Sequence, residues 1–317
     1  MKNSYFVILA TVMAAMLFLP LVSSAVTPNE NLALQTVSPI SEDNVKVKIT
    51  ESGEVLNVSV EDYVTLVVAA EMSADYCEEA LKAQAVAART FLYYKKIQNA
   101  GENYDITDDF STDQTFLTKE KLREKWGESF EDSFKKISDA VNLTAGEVLL
   151  YDGAPIFAAY HAVSSGRTET ALNVWGKDYP YIVSVDSIGD LLCPEYLTSV
   201  TVTPEDFKKA FGDEVAFSSE AKNWVGDSEN TESGTVTKIL VCEKEFTGAK
   251  IREKFSLKSS SFDLTFDGTN FVFTVRGYGH GVGMSQYGAN YMAQQGSDYK
   301  EILNWYYKDC KIEKALG

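Results

Sequence analysis

The spacing of apolar positions changes several times along the chain, and each change predicts an element. Val45-Lys46-Val47-Lys48-Ile49 alternates as a half-buried strand that stops near Gly53. Ser59-Val60-Glu61-Asp62 has the form of a capping box, and Tyr63, Leu66, Val67 and Ala70 then recur at helical spacing, predicting a helix that closes about Met72. A second helix follows at once. Asp75 with Glu78 can cap it, Glu78 and Glu79 suit its first turn, Lys95 and Lys96 its last, and Gly101 lies just beyond. A polar aromatic loop, Asp108 to Phe116, precedes helical patterns around Lys119 to Trp126 and Phe130 to Asn142. Val148 to Tyr151, Asp152-Gly153 and Ile156 to His161 read as a hairpin with His161 at its far end, the Asp-Gly pair supplying positive φ for a tight turn. From Ser199 the chain is strand-rich: Val236 to Val241, Phe262 to Phe266 and Phe271 to Val275 alternate or are β-branched, and Asp267-Gly268 is a further turn. Two closing helices are expected near Met284 to Gln295 and Lys300 to Tyr307. The class is α+β, mixed helices and antiparallel strands in one compact region over 45–317 with a β-rich lobe.

The segment ahead of this region has a different character. Lys2 precedes an almost wholly apolar run from Tyr5 to Val22, and Ser23-Ser24-Ala25 offers the small residues a signal peptidase needs. Residues 1–25 are expected to be a signal peptide or a membrane anchor, since a run of about 18 residues falls between a signal core and the shortest spanning helix. Either outcome makes the rest of the chain extracytoplasmic, secreted or held at the cell membrane by that segment. Residues 26–44, with Pro28, Pro39 and polar neighbours, read as a linker.

Composition narrows the chemistry. The 317 residues are 45% hydrophobic, too apolar for a disordered chain. Lys plus Arg is 29 against 46 Asp plus Glu, and the resulting charge of −17 is repelled by phosphate backbones, so no nucleic acid is expected as a partner. Two histidines, and four cysteines without a CxxC pair, exclude zinc fingers, iron–sulfur clusters and thioredoxin-like chemistry. In an exported chain Cys77, Cys193, Cys242 and Cys310 can pair in three ways or remain thiols that fill space, and spacing does not choose.

Glu71 stands out first, an acid closing an apolar helix in Val67-Val68-Ala69-Ala70-Glu71-Met72. Partial burial and the negative end of the helix dipole both oppose its ionisation, as a general acid near neutral pH requires. Pairing with a cation such as Arg89 is the plainer role for such a glutamate. Lys82 and Arg89 lie two turns apart on one face of the second helix, with Gln84 on the same element, and together they could line a groove. Equally, Glu78 and Lys82 could form a surface pair, with Arg89 buttressing the fold. His161 precedes Ala162-Val163-Ser164-Ser165-Gly166-Arg167-Thr168-Glu169, a hydroxyl-rich loop at a strand end. His280 lies within Gly277-Tyr278-Gly279-His280-Gly281-Val282-Gly283-Met284-Ser285-Gln286-Tyr287, where alternating glycines either bare the backbone for a ligand or allow tight packing. This is not the dinucleotide fingerprint, and no G-x-S-x-G elbow supports a serine nucleophile at Ser164 or Ser285. Trp175, Tyr179, Tyr181, Tyr278 and Tyr287 fall in or beside these loops, and such rings suit the apolar faces of sugars.

Taken together, Glu71, the string Glu79-Ala80-Leu81-Lys82-Ala83-Gln84-Ala85-Val86-Ala87-Ala88-Arg89-Thr90, the loop from His161 to Thr168 and the run from Gly277 to Ala289 closely resemble the stage II sporulation protein D family and the related amidase enhancers. The matching blocks span about residues 60 to 310. The resemblance implies an exported cell-wall enzyme, often anchored by one N-terminal helix: a lytic transglycosylase acting on peptidoglycan whose stem peptides an amidase has removed. Its partners would be glycan strands and a cell-wall amidase. Carried over residue by residue, it makes Glu71 the catalytic acid, with Lys82 and Arg89 at basic positions of the motif and His161, Tyr278 and His280 in the cleft. Gln84, Ser164, Ser165, Gln286 and Tyr287 fall in the same blocks and are expected to bind substrate too. Arg89 or Lys82 is expected to meet the lactyl carboxylate freed when the peptide leaves. Some relatives hold zinc through the loop histidine and cysteines six and twelve residues on, but Arg167 and Asn173 occupy those places here, so no metal and no cofactor is expected. The competing expectation is a non-enzymatic glycan-binding enhancer of an N-acetylmuramoyl-L-alanine amidase.

Overall fold

The computed structural model describes residues 44–315. The expected signal or anchor at 1–25 lies outside them, as does the expected linker apart from Asn44, which already begins the first strand. Among the described residues no helix is long and apolar enough to cross a membrane. Packing divides the described residues into two units: 44–157 with 311–315, and 158–310.

In the first unit, β1 (Asn44–Lys48) and β2 (Val55–Ser59) form an antiparallel hairpin, with Val45 and Val47 turned wholly inward, and β3 (Ile106–Thr107) adds parallel to β1. Ser59 then caps α1 (Val60–Glu71): its Oγ accepts the Asp62 amide at 3.1 Å and donates to Asp62 Oδ2 at 2.7 Å. α2 (Glu78–Gln98) begins at Cys77 without a side-chain cap. Asp75 does not fill that role, because it closes its own turn with Ser73. Ala80, Ala83, Ala85, Ala87 and Ala88 are all fully buried, and these small side chains let α2 pack closely against α1, α4 (Phe130–Leu143) and β4 (Glu147–Tyr151). α3 (Lys119–Trp126) is mostly exposed and touches both α1 and α4.

The predicted hairpin is only half present. β4 turns through Asp152 (φ 50°) and Gly153 (φ 80°) into β5 (Ala154–Pro155). Pro155 has no N–H to donate, and after one bond from Ile156 to Leu149 the chain leaves the ladder. The other neighbour of β4 is the terminal strand Lys311–Lys314, which the sequence reading did not contain.

In the second unit β6 (Tyr160–His161) carries the loop histidine, and α5 (Ala171–Trp175) follows. β7 (Leu197–Val202), α6 (Pro204–Phe211), β8 (Val225–Asn230), β9 (Val236–Val241), β10 (Lys244–Phe246), α7 (Gly248–Phe255), β11 (Phe262–Phe266) and β12 (Phe271–Arg276) make the β-rich part. Two antiparallel three-stranded sheets, β11-β12-β7 and β10-β9-β8, enclose one aromatic core. Alternation on β12 sends Phe271, Phe273 and Val275 inward, and Phe207 of α6 stacks on Phe271 with ring centroids 4.0 Å apart. β13 (Met284–Ser285) pairs parallel with β6, and α8 (Gln286–Gln294) and α9 (Tyr299–Tyr306) close the unit. The class is thus mixed α+β, with antiparallel pairing predominating in the sheets.

Candidate active site

Glu71 is the last residue of α1 and is half-buried. One carboxyl oxygen accepts the Thr115 amide at 3.0 Å, so the polar loop 108–116 folds back onto the end of the helix. Gln114 anchors that loop from within, its Nε2 donating to the Tyr63 hydroxyl at 3.2 Å and to Ala88 O at 3.3 Å. Asp113 is fixed beside it by the Lys95 ammonium at 2.5 Å and by the Thr107 amide and hydroxyl at 2.9 and 2.6 Å. From α3, the Lys125 ammonium donates to Ala70 O at 3.3 Å. Crowding by protein atoms lowers Lys125 below the ordinary lysine range, and the Glu71 charge pulls the other way. Nothing in the local pattern of 114–125 pointed to Glu71, because these contacts are made across 44 or more residues of chain.

The other first-unit residues predicted to bind substrate are engaged elsewhere. Arg89 is fully buried. Its Nε and Nη2 donate to the two carboxyl oxygens of Glu61 at 3.0 and 2.5 Å, and Nη1 donates to Glu147 O at 3.1 Å. Glu61 opens α1 and Glu71 ends it, so Arg89 lies about 15 Å along that axis from the catalytic candidate. In this structure the arginine ties α1, α2 and the start of β4 together. Gln84 is also sealed, with both amide atoms lacking a hydrogen-bond partner, and it presents nothing at the surface. Lys82 bridges Glu78 at 2.5 Å and Glu79 at 2.8 Å. Burial pulls its pKa down, and the two glutamates more than offset this and hold it above the ordinary value.

The two histidines meet in the second unit, ring centroids 5.7 Å apart, and the Trp175 ring lies 4.8 Å from His280. His161 Nδ1 lies 3.1 Å from Val282 O and so carries the proton, while Nε2 is buried without a partner. His280 Nδ1 accepts the Val282 amide at 3.0 Å, and the ring also bonds the Tyr160 carbonyl. Burial lowers His161 to about 4, and burial together with the His161 neighbour holds His280 well below the usual range. Both are neutral imidazoles near pH 7, set as packing pieces between the loop and the glycine run.

That run packs tightly against its own fold. Gly277, Gly279, Gly281 and Gly283 all have positive φ. A Cβ on Gly283 would stand 1.9 Å from Ala159 O, and one on Gly277 2.6 Å from Val163 O. Of the two readings, close backbone approach to β6 and its loop is the one found at these positions.

The hydroxyls close an internal knot around Asp190, which sequence reasoning missed. Ser164 Oγ donates to Asp190 Oδ2 at 2.5 Å and Ser285 Oγ to Oδ1 at 2.8 Å, and burial raises the Asp190 pKa against these bonds. Both serine hydroxyls are spent on Asp190, and among the described residues neither donates to a histidine. Ser164, His161 and Gln286, each expected to bind substrate, are buried. Ser165 donates to Ser233 O beside a small, partly open pocket lined also by Arg167, Glu169, Arg276 and His280. Tyr278 exchanges both backbone bonds with Val163 and stays half-buried, with the Lys258 ammonium 5.2 Å from its ring centre. Tyr287 is likewise half-buried, its hydroxyl donating to Leu192 O at 3.2 Å.

The zinc positions of some relatives do not fit a metal here. Arg167 is a permanent cation bound to Asp186 at 2.7 Å, and Asn173 donates to Glu169 at 2.7 Å. None of the four cysteines, all of them among the described residues, forms a disulfide.

Residues 48–151 match the family model described as stage II sporulation protein. The chain is 38% identical over 281 residues to stage II sporulation protein D of Bacillus subtilis (strain 168), covering 88% of this chain and 80% of that protein. It is 37% identical over 282 residues to stage II sporulation protein D of Bacillus amyloliquefaciens, with the same shares covered. To the amidase enhancer of Bacillus subtilis it is 28% identical over 291 residues, spanning 75% of this chain and 38% of that protein. By these likenesses the chain belongs to the stage II sporulation protein D family.

Proposed function

We propose that this protein is an extracytoplasmic peptidoglycan lytic transglycosylase that cuts peptide-stripped glycan in sporulation-linked remodelling of the cell wall. The observation that carries the reading is the placement of Glu71: a half-buried carboxyl group at the end of an apolar helix, positioned by the Thr115 amide, in a member of this family. In such a reaction Glu71 gives its proton to the glycosidic oxygen as the C1–O4 bond breaks. The C6 hydroxyl of the same muramic acid then attacks C1, forming the C1–O6 bond, and returns its proton to Glu71. Atoms balance without a water and without the second carboxylate that hydrolytic glycosidases use. Acid–base assistance of this kind contributes about 10²- to 10⁴-fold, and orientation of the sugar supplies more.

The relationship to an amidase enhancer favours one other reading, a glycan-binding stimulator of a cell-wall amidase. Purified protein incubated with denuded glycan, and separately with an amidase and intact peptidoglycan, distinguishes the two. Anhydro ends that depend on Glu71 support the enzyme. Amidase stimulation that is equal with wild type and Glu71→Gln, with no anhydro sugar formed, supports the stimulator.

A further inference from the structure

We propose that Lys125 is the cation that receives the lactyl carboxylate of peptide-stripped glycan, and so selects that substrate over glycan still carrying its peptide. The proposal rests on the transglycosylase reading for its chemistry. In muramic acid the lactyl group hangs from C3, two carbons from the anomeric centre at which the proton donor works, so a recognising cation must stand beside the acid. Arg89 is buried at the other end of α1 and spent on Glu61. Lys82 is held by two glutamates. Although neighbouring atoms crowd it, Lys125 keeps a solvent-exposed surface and touches the carbonyl of Ala70, the residue joined to Glu71. It forms no ion pair among the described residues, and its one hydrogen bond leaves two N–H groups to donate.

Its surroundings suit an anion. In a chain of charge −17, the stretch from Lys119 to Lys125 holds four cations against two glutamates. Lys136 grips the loop after Glu71 through Ala74 O at 2.6 Å and Tyr76 O at 2.9 Å, and so steadies the same end of α1 with a second positive charge. A peptide-bearing muramic acid carries an amide where the stripped sugar carries a carboxylate, and only the latter gains a charge-assisted bond from an ammonium.

The test compares denuded tetrasaccharide bearing free lactyl carboxylates with the same sugar converted to lactyl carboxamides, by product kinetics and by calorimetric binding. Wild type should prefer the carboxylate by about tenfold, one charge-assisted hydrogen bond. Lys125→Gln should raise KM about tenfold for the carboxylate with kcat unchanged, leave the carboxamide unaffected, and so erase the preference. Lys125→Arg should keep it. Lys136→Gln, which loosens the same loop, should leave the preference intact. Equal losses on both sugars with Lys125→Gln, or no preference in wild type, overturn the proposal. If wild type binds denuded glycan without cutting it, the transglycosylase reading fails, and the binding arm alone decides Lys125 by the same comparison. If wild type binds neither sugar, both fall.

Discussion

Arg89 and Glu61 meet through two hydrogen bonds, Nε to Oε1 at 3.0 Å and Nη2 to Oε2 at 2.5 Å, at the start of the helix whose last residue is Glu71. The arginine is wholly buried and Glu61 keeps some contact with water. Truncating a buried partner leaves the other charge and several carbonyls unsatisfied. Arg89→Met should therefore destabilise the fold by about 3 kcal/mol, read as a lower urea midpoint. The KM of the remaining folded protein should not move. An unchanged midpoint with a raised KM would return Arg89 to the substrate site.

This pair also marks how far the chain could be read. Ser59, the apolar positions of 63–70 and the glutamates of 78–79 are local signals, and they place α1 and α2 within about a residue or two of where they stand. The strands at 236–241, 262–266 and 271–276 were legible for the same reason, since alternation is a local property. α6 was missed although Thr203 with Pro204 at the first helical turn is a recognised start, and only eight residues of helix follow it. Seven-residue spacing put Lys82 and Arg89 on one face but could not tell that Glu61 would claim Arg89. Asp190, Thr115 and Lys125 reach their partners across long stretches of chain, so no local spacing reports them.

Buried His161 and half-buried His280 predict an acid-sensitive fold. The unfolded chain takes up a proton near pH 6.5, whereas folded His161 resists protonation until about 4. Stability should be fully present above pH 6.5 and decline as pH falls toward 4, by roughly 3 kcal/mol for His161, with His280 adding in the same direction. Urea unfolding from about pH 7.5, one unit above the window, down to about pH 4.5, inside it, measures the slope. His161→Gln should flatten it by about one proton. A slope identical to wild type contradicts the buried neutral ring.

Two glycines of the same run should behave differently. Gly283→Ala forces a methyl to 1.9 Å from Ala159 O at φ +73°, whereas Gly281→Ala meets only Glu169 Cβ at 3.5 Å, at φ +79°. The backbone conformation alone costs about 1–2 kcal/mol at each site. Gly283→Ala should exceed that by several kcal/mol through the clash and fail to fold at 37 °C, while Gly281→Ala folds with a modestly lower Tm. Equal losses at the two sites would mean that the close approach to Ala159 is not formed.

On the proposed reading a single carboxyl group, Glu71, moves the proton in glycan cleavage. Mass spectra of peptide-stripped glycan digested by wild type and by Glu71→Gln test it most directly. Wild type should release fragments ending in 1,6-anhydromuramic acid, 18 mass units (about one water) lighter than hydrolytic products. The variant should bind glycan, retain its unfolding midpoint and release none. Anhydro ends from Glu71→Gln at the wild-type rate, or fragments from wild type that have gained water, would contradict the account.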